Sequence, residues 1–211
     1  MSFGYFIVLE GLDGSGKSLM AEKLLEWLTA NNVPAIHTRE VGGSIFAEQA
    51  RDLLLSMHDI DNPINKTAQA LLISAARHDH VAQTILPALH DGKVVICERY
   101  YFSTLVYQHG ADHLDEIVKI GSAGVLPDKV IYLETTFETV MERIGGKVRD
   151  KMDLVDDIKF HNSKRLLEKH LGHFALDNPG ALASLDADKE VEMVFADILG
   201  VVCDLLNSDI V

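Results

Sequence analysis

The residues with the plainest chemical purpose come early in the chain: Gly11-Leu12-Asp13-Gly14-Ser15-Gly16-Lys17-Ser18 satisfies the P-loop pattern G-x-x-x-x-G-K-[ST] at every required position. Each part of that pattern answers a need of polyphosphate chemistry. Glycines let the backbone wrap closely enough for its N–H groups to face a β-phosphate, and a helix starting at the end of the loop adds its positive terminus. Lys17 supplies a point charge for the β/γ oxygens, and the Ser18 hydroxyl is placed to ligate Mg²⁺. A nucleoside triphosphate and Mg²⁺ are therefore the ligands expected at residues 11–18. A chance glycine-rich turn is the ordinary alternative; against it, the full match follows an apolar run and precedes a helical one, the context the motif needs.

Other elements must hold this loop. Four short β-rich apolar runs, Tyr5 to Leu9, Ala35 to Thr38, Val94 to Cys97 and Val130 to Leu133, read as strands buried on both faces, and Ala183 to Leu185 is a weaker fifth. Between them lie segments of helical period, such as Met20, Leu24, Leu25 and Leu28 on one face with Glu22, Lys23 and Glu26 off it, and a closing helix is expected from about Lys189 to Leu206. This alternation predicts an α/β fold with a parallel sheet, right-handed crossovers and helices on both faces. Ligands then bind beyond the carboxyl ends of the strands, where Arg39 and Arg99 stand. The stretch Gly145-Gly146-Lys147-Val148-Arg149-Asp150-Lys151 breaks the rhythm with bending glycines and grouped cations, the composition of a mobile lid over about residues 145–155.

A chain of 211 residues suits one domain with a single core, and 47% hydrophobic with 24% charged residues is an ordinary globular mixture. The formal charge of −13 argues against a non-specific nucleic-acid binder or an acidic-membrane binder, so any phosphate site must be local. Cys97 and Cys203 lie far apart without partner spacing, which suggests neither a zinc site nor a disulfide framework; Cys97 reads as core packing. The opening residues lack a basic segment, and their apolar stretch is too short for a signal peptide or membrane span, so a cytoplasmic protein is expected. His78 and His80, two apart on a helix, point in different directions and read as a solvated face rather than a metal pair.

A P-loop alone does not separate kinases from switches or motors. The segment from Phe6 to Ser18 resembles the opening of the thymidylate kinase family, and three further blocks follow in that family's order. Thr38-Arg39-Glu40-Val41-Gly42-Gly43 resembles its T-R-E-P-G-G. Leu71 to Val81, with Ala75-Ala76-Arg77, resembles its base-reading helix, and Glu98-Arg99-Tyr100-Tyr101-Phe102-Ser103-Thr104-Leu105-Val106-Tyr107-Gln108 resembles its D-R-Y-x-x-S-x-x-A-Y-Q. The likeness covers most of the chain up to the lid and is fainter in the last third. It implies a P-loop kinase fold, with a five-stranded parallel sheet flanked by helices on both faces, that moves the γ-phosphoryl of ATP to dTMP to give dTDP. It also implies a homodimer whose surface comes from helices flanking the third strand.

The resemblance assigns roles as well. Arg99 holds the acceptor phosphate, a task suited to a guanidinium fork, or else forms an ion pair with a carboxylate. Arg39 shares that phosphate or makes a structural salt bridge, and Asp13 meets the acceptor sugar's 3′-hydroxyl or the metal shell, or forms an Asx turn. Glu98 stands where the family has Asp and organises Mg²⁺ through water. Arg77 hydrogen-bonds the base O4, or is a plain helix-surface arginine. Ser103, Thr104 and Gln108 complete the base and phosphate contacts, and Tyr107 packs where a ribose 2′-hydroxyl would sit.

Three departures matter. The family's P-loop arginine is absent, Gly14 and Ser15 occupying that stretch, so the transition-state cation is expected from the lid. Arg149 is the first choice because a planar fork spans two phosphates; Arg143 and Lys151 are alternatives, and a solvated charge run is the ordinary reading. Val41 replaces the loop proline near Arg39, removing a backbone constraint. Ile73, four residues before Arg77, stands where the family stacks phenylalanine on thymine. Two further readings follow: a broader deoxypyrimidine monophosphate kinase that also takes dUMP, and a nucleotide-dependent switch or partition protein. Against the second stand the acceptor-site blocks and the cationic lid.

Overall fold

The computed structural model describes residues 3–56, 65–144 and 157–207. Five strands, β1 (Phe6–Glu10), β2 (Ala35–Arg39), β3 (Val94–Glu98), β4 (Lys129–Glu134) and β5 (Leu182–Asp186), form one parallel sheet in the order β2-β3-β1-β4-β5. Each strand runs one residue further at its carboxyl end than the apolar run that announced it, and that residue is charged in every case: Glu10, Arg39, Glu98, Glu134 and Asp186. Parallel register brings these ends to one edge, with Leu9 opposite Glu98 and Arg39 opposite Glu98. That edge is where the site lies.

Among the described residues the helices are α1 (Lys17–Ala30), α2 (Ile45–Ser56), α3 (Lys66–His80), α4 (Leu86–His90), α5 (Tyr101–Tyr107), α6 (Leu114–Gly121), α7 (Phe137–Ile144), α8 (Asp157–Asp177) and α9 (Val191–Asn207). A π-helical turn, Val81–Ile85, joins α3 to α4. The two-residue period of a strand splits the core in two. Ile7, Leu9, Val94, Ile96, Ile131 and Leu133 turn toward α1 and α9, meeting Met20, Leu24, Leu28, Val194, Ile198 and Val202. Phe6, Val8, Val95, Cys97, Val130 and Tyr132 turn the other way, onto Leu89, Phe102, Phe160, Leu167, Leu171 and Phe174. Burying each such large side chain contributes about 1.5–3 kcal/mol, far more than any single helix propensity, so packing against the sheet sets the fold.

The sheet corrects one expectation. The β2 run was expected to be buried on both faces, yet only Thr38 in it is buried, because β2 is an edge strand with one flank open to solvent. A second correction concerns His80. Helical period puts Ile73, Arg77 and His80 of α3 on its inward side, and His80 is fully buried while His78 is exposed. The His80 ring sits between Thr38 Oγ1, at 2.7 Å from Nε2, and Glu40 Oε1, at 3.4 Å from Nδ1. The solvated-face reading therefore holds for His78 alone. Among the described residues no His, Cys, Asp or Glu cluster could hold a metal ion by itself, and no helix is long and apolar enough to cross a membrane.

Gly43 lies against the Thr38–His80 pair at φ +83°, where a Cβ would overlap His80 Nε2 and Thr38 Oγ1. Gly43→Ala is expected to lower stability by about 1–3 kcal/mol. Denaturant melts check this: a lower midpoint at unchanged slope is the expected result, whereas a wild-type midpoint would mean that the loop and the histidine part freely. Cys97 and Cys203 are both free thiols. Cys97 is fully buried, burial pushes its thiol well up, and its S–H donates to the Arg99 carbonyl at 3.1 Å. The expected lid, with Lys147, Arg149 and Lys151, lies outside the described residues.

Candidate active site

Between the end of β1 and the start of α1 the chain makes a tight loop in which Gly14 has φ +82° and Gly16 φ +93°, conformations that L side chains rarely adopt. Gly16 caps α1, and the first turn of that helix carries no acidic residue of its own to offset the positive end of its dipole. Lys17 is only 8% exposed and folds back over the loop, its Nζ donating to the Leu12 carbonyl at 2.8 Å and to Ser15 Oγ at 3.4 Å. Burial, together with the nearby Arg99 charge, pushes its ammonium down to about 7 despite the opposing pull of Asp13, Glu10 and Glu98. The loop thus holds a buried ammonium, disfavoured by desolvation and by Arg99, at the start of α1, and a bound polyphosphate would supply the negative charge that both favour.

Strand parity distributes the charged strand ends around this loop. Glu98 falls on the same face as Ile96, the α1 side, where Ser18 in the first turn of α1 donates to Glu98 Oε2 at 2.5 Å. His37 of β2 meets the other oxygen, Nε2 to Oε1 at 2.9 Å. Burial works to raise the Glu98 carboxyl, but the hydrogen bonds from His37 and Ser18 outweigh it and hold the group below the usual range. A hydroxyl and an ionised carboxylate side by side are hard oxygen donors. They fit Mg²⁺, which takes few protein ligands and completes its shell with phosphate and water.

Glu10 falls on the opposite face, with Phe6 and Val8, and is fully buried. It accepts the Tyr100 N–H at 2.8 Å and the Ser103 hydroxyl at 3.0 Å, and burial pushes its carboxyl up against the pull of Arg99. Arg99 follows β3 in a left-handed conformation, φ +65°, which aims its guanidinium across the sheet edge. Its Nη2 donates to Asp13 Oδ1 at 2.6 Å and its Nη1 to Ser103 Oγ at 2.9 Å, with Tyr107 5.4 Å from the ring centroid to Cζ. Burial alone would weaken Arg99's charge; Tyr107, Asp13 and Glu10 reverse that and keep it firmly protonated. Desolvation works to raise the Asp13 carboxyl, and the charges of Arg99 and Lys17 bring it down.

A third group lies on the α3 side. Arg77 is 2% exposed, its Nε donating to Glu40 Oε2 at 2.5 Å and its Nη2 to Thr104 Oγ1 at 2.7 Å, while its buried Nη1 has no hydrogen-bond partner among the described residues. Ile73 lies one turn before it, also buried, and Gln108 of the α5 end donates to Gln69 at 3.4 Å. Of the residues singled out in the sequence, Asp13, Arg99 and Ser103 are in contact, as are Ser18 with Glu98 and Arg77 with Thr104. Arg39 stands apart: half exposed, it pairs with Glu48 at 2.9 Å. Arg143 donates to the carbonyls of Gly14 and Ala187, behind the loop. The sequence reading missed Glu10 and His37 and took His80 for a solvated residue; a polar residue closing an apolar strand was the available signal for Glu10, and none existed for the histidines.

Known proteins supply an independent comparison. The thymidylate kinase family model matches residues 9–198. The thymidylate kinase of Clostridium novyi is 33% identical over 95% of this chain and 98% of its own length. Those of Symbiobacterium thermophilum and Rhizorhabdus wittichii are each 36% identical, over 95% and 96% of this chain and 94% and 99% of theirs. A match over nearly the whole length, together with a P-loop and the Arg99 guanidinium brought together at one sheet edge, places the chain: it belongs to the thymidylate kinase family.

Proposed function

We infer that the protein is an ATP-dependent dTMP kinase: an oxygen of the dTMP phosphate attacks the γ-phosphorus of ATP, the bond to the β–γ bridging oxygen breaks, and dTDP and ADP leave. The observation that carries this reading is the 2.6 Å contact between Asp13, inside the P-loop, and Arg99, outside it. Two phosphate-seeking cations, Lys17 and Arg99, flank one carboxylate, so a donor and an acceptor phosphate bound to them would adjoin as in-line transfer requires. A switch or partition protein binds no acceptor phosphate, so a second cation set beside the P-loop carboxylate favours the kinase.

The side chains divide the work. The backbone of residues 11–18 and Lys17 bind the β- and γ-phosphates of ATP; Arg99, with Arg39 swinging from Glu48, binds the acceptor phosphate. Asp13 releases Arg99 to that phosphate and turns to the acceptor sugar, and Tyr107 closes the place of a 2′-hydroxyl. Arg77 offers Nη1, which has no partner among the described residues, to the base O4, oriented by Glu40 and Thr104, while Ile73 and Gln108 cover the base. Ser18 and Glu98 would hold Mg²⁺, which neutralises phosphate charge when bound. Arg149 of the lid brings the remaining cation to the transition state. A homodimer is supported by the apolar residues left exposed on packed helices, Phe46 and Leu53 of α2, Leu71 of α3 and Ile120 of α6. Two free thiols favour a cytoplasmic location.

A coupled ADP-release assay across deoxy- and ribonucleoside monophosphates tests the reading: dTMP-dependent turnover is expected, and no turnover with any monophosphate would favour the switch. Ile73 supports a broadened acceptor range, because a branched aliphatic side chain packs on the base without the planar stacking that presses a 5-methyl group into its pocket. Burying one methyl contributes only about 0.8 kcal/mol. The expected ratio of kcat/KM for dTMP over dUMP is below about 30, near 2 kcal/mol, and rises in Ile73→Phe. A wild-type preference of about a thousandfold would mean that other residues enforce methyl recognition.

A further inference from the structure

We propose that His37 is a positioning residue for the metal side of the site: it fixes the Glu98 carboxylate so that one oxygen stays turned to Ser18 before any cation arrives. The inference deepens, and rests on, the assignment of Ser18 and Glu98 to Mg²⁺.

The placement follows from the sheet. In the β2–β3 ladder His37 is opposite Ile96, and paired residues of parallel strands share a face. Ile96 points to α1, so His37 does too, one pleat repeat short of Glu98 and level with the first turn of α1. The ring Nε2 donates to Glu98 Oε1 at 2.9 Å, and Oε2 is left to take the Ser18 hydroxyl at 2.5 Å. Both side chains are mostly buried, at 22% and 13% exposure, so little water competes for the carboxylate. A glutamate has several side-chain torsions to fix, and a carboxylate tied at one oxygen has already lost that freedom when a cation reaches the other. Partners of this kind, one bond removed from a ligand, are worth about 10–100-fold in metal affinity at other sites. An ordinary edge-strand histidine that merely packs would have no such effect, and a substitution that keeps the donor separates the two cases.

The test uses the full chain and β,γ-imido ATP, titrated calorimetrically in Mg²⁺ and in EDTA, with dTMP titrated alongside. The ratio of the Mg²⁺ affinity to the EDTA affinity measures the metal's contribution. In His37→Phe, a side chain well suited to an edge strand, that ratio is expected to fall about tenfold while the EDTA affinity and the dTMP affinity stay at wild type and the Tm falls by only a few degrees, as loss of one hydrogen bond implies. In His37→Gln, whose Nε2 sits where the ring donor was, the ratio should stay within about twofold of wild type. An unchanged ratio in His37→Phe overturns the proposal. So does an equal loss of metal-free nucleotide and dTMP binding, which marks general disruption, or a His37→Gln variant as impaired as His37→Phe. Should His37→Phe not fold, His37→Val takes its place under the same criteria. A wild-type ratio of one would remove the Mg²⁺ assignment and this inference together, whereas a high wild-type ratio with an unaffected His37→Phe overturns the inference alone.

Discussion

Lys17→Met should yield a protein that melts at or above the wild-type temperature but has lost phosphoryl transfer by about a hundred- to a thousandfold or more. The two halves of that result have separate causes. Lys17 is a buried ammonium, 8% exposed and pushed down to about 7 by burial and by Arg99, so its charge costs stability in the ligand-free fold. Methionine keeps most of the volume and removes the charge. The Leu12 carbonyl that loses the Lys17 bond still accepts the Ser15 N–H at 3.2 Å, so no buried acceptor is orphaned. Transfer is another matter, since charge builds on the phosphoryl oxygens in the transition state, and the other described cations at the loop, Arg99 and Arg143, are engaged by Asp13 and by the Gly14 carbonyl. Turnover and the thermal melt should be measured on the same preparation. Wild-type turnover would remove the phosphate-binding assignment of residues 11–18; lost turnover with a collapsed melt would make Lys17 a structural residue.

Arg99→Met carries the second large expectation, a fall of about a hundred- to a thousandfold in kcat/KM for dTMP with the KM for ATP within a few fold of wild type. On the proposed role two charge-assisted hydrogen bonds to the acceptor phosphate would be lost, each worth about 1.5–3 kcal/mol; at about tenfold per 1.4 kcal/mol the lower half of that range gives that fall. The fold should tolerate the change. Asp13, the partner left behind, has a side chain 76% exposed and can return to water, and Ser103 keeps its bond to Glu10 at 3.0 Å. Methionine inherits the left-handed backbone of φ +65° at no greater cost than arginine pays. Steady-state kinetics with each substrate varied in turn decide the matter: a raised KM for ATP with dTMP kinetics intact would put Arg99 on the donor side and undo the placement of the acceptor.

The two residues differ in how they could be found. Lys17 is legible in the sequence because a P-loop is a local object; Gly14 and Gly16 at positive φ and the helix that starts at Lys17 are set by neighbours in the chain. The same holds for the pairing of Ile73 with Arg77, four apart on α3, and for the apolar runs that become the five strands. The P-loop, the alternation of strand and helix, and the residue types available at the strand ends were all open to reading from the chain alone.

Which of those residues meet was decided by the tertiary structure. Asp13 and Arg99 are 86 residues apart and Ser18 and Glu98 are 80 apart, and they touch only because β3 lies beside β1 with Leu9 opposite Glu98. Parity then sends Glu98 toward α1 and Glu10 toward α5, a choice that depends on which helix covers which face. His80 looked solvated because a one-dimensional pattern cannot say that β2 runs past the end of α3, where Thr38 and Glu40 receive its ring. His37 carried no signal for the same reason, and Arg39 could have taken either of its expected partners until the loop after β2 set Glu48 beside it. A strand fixes the alternation of its side chains by local geometry, but the order of strands, their register and the helix over each face come from burying both sides of the sheet at once, and only that global packing turns chemically able residues into a site.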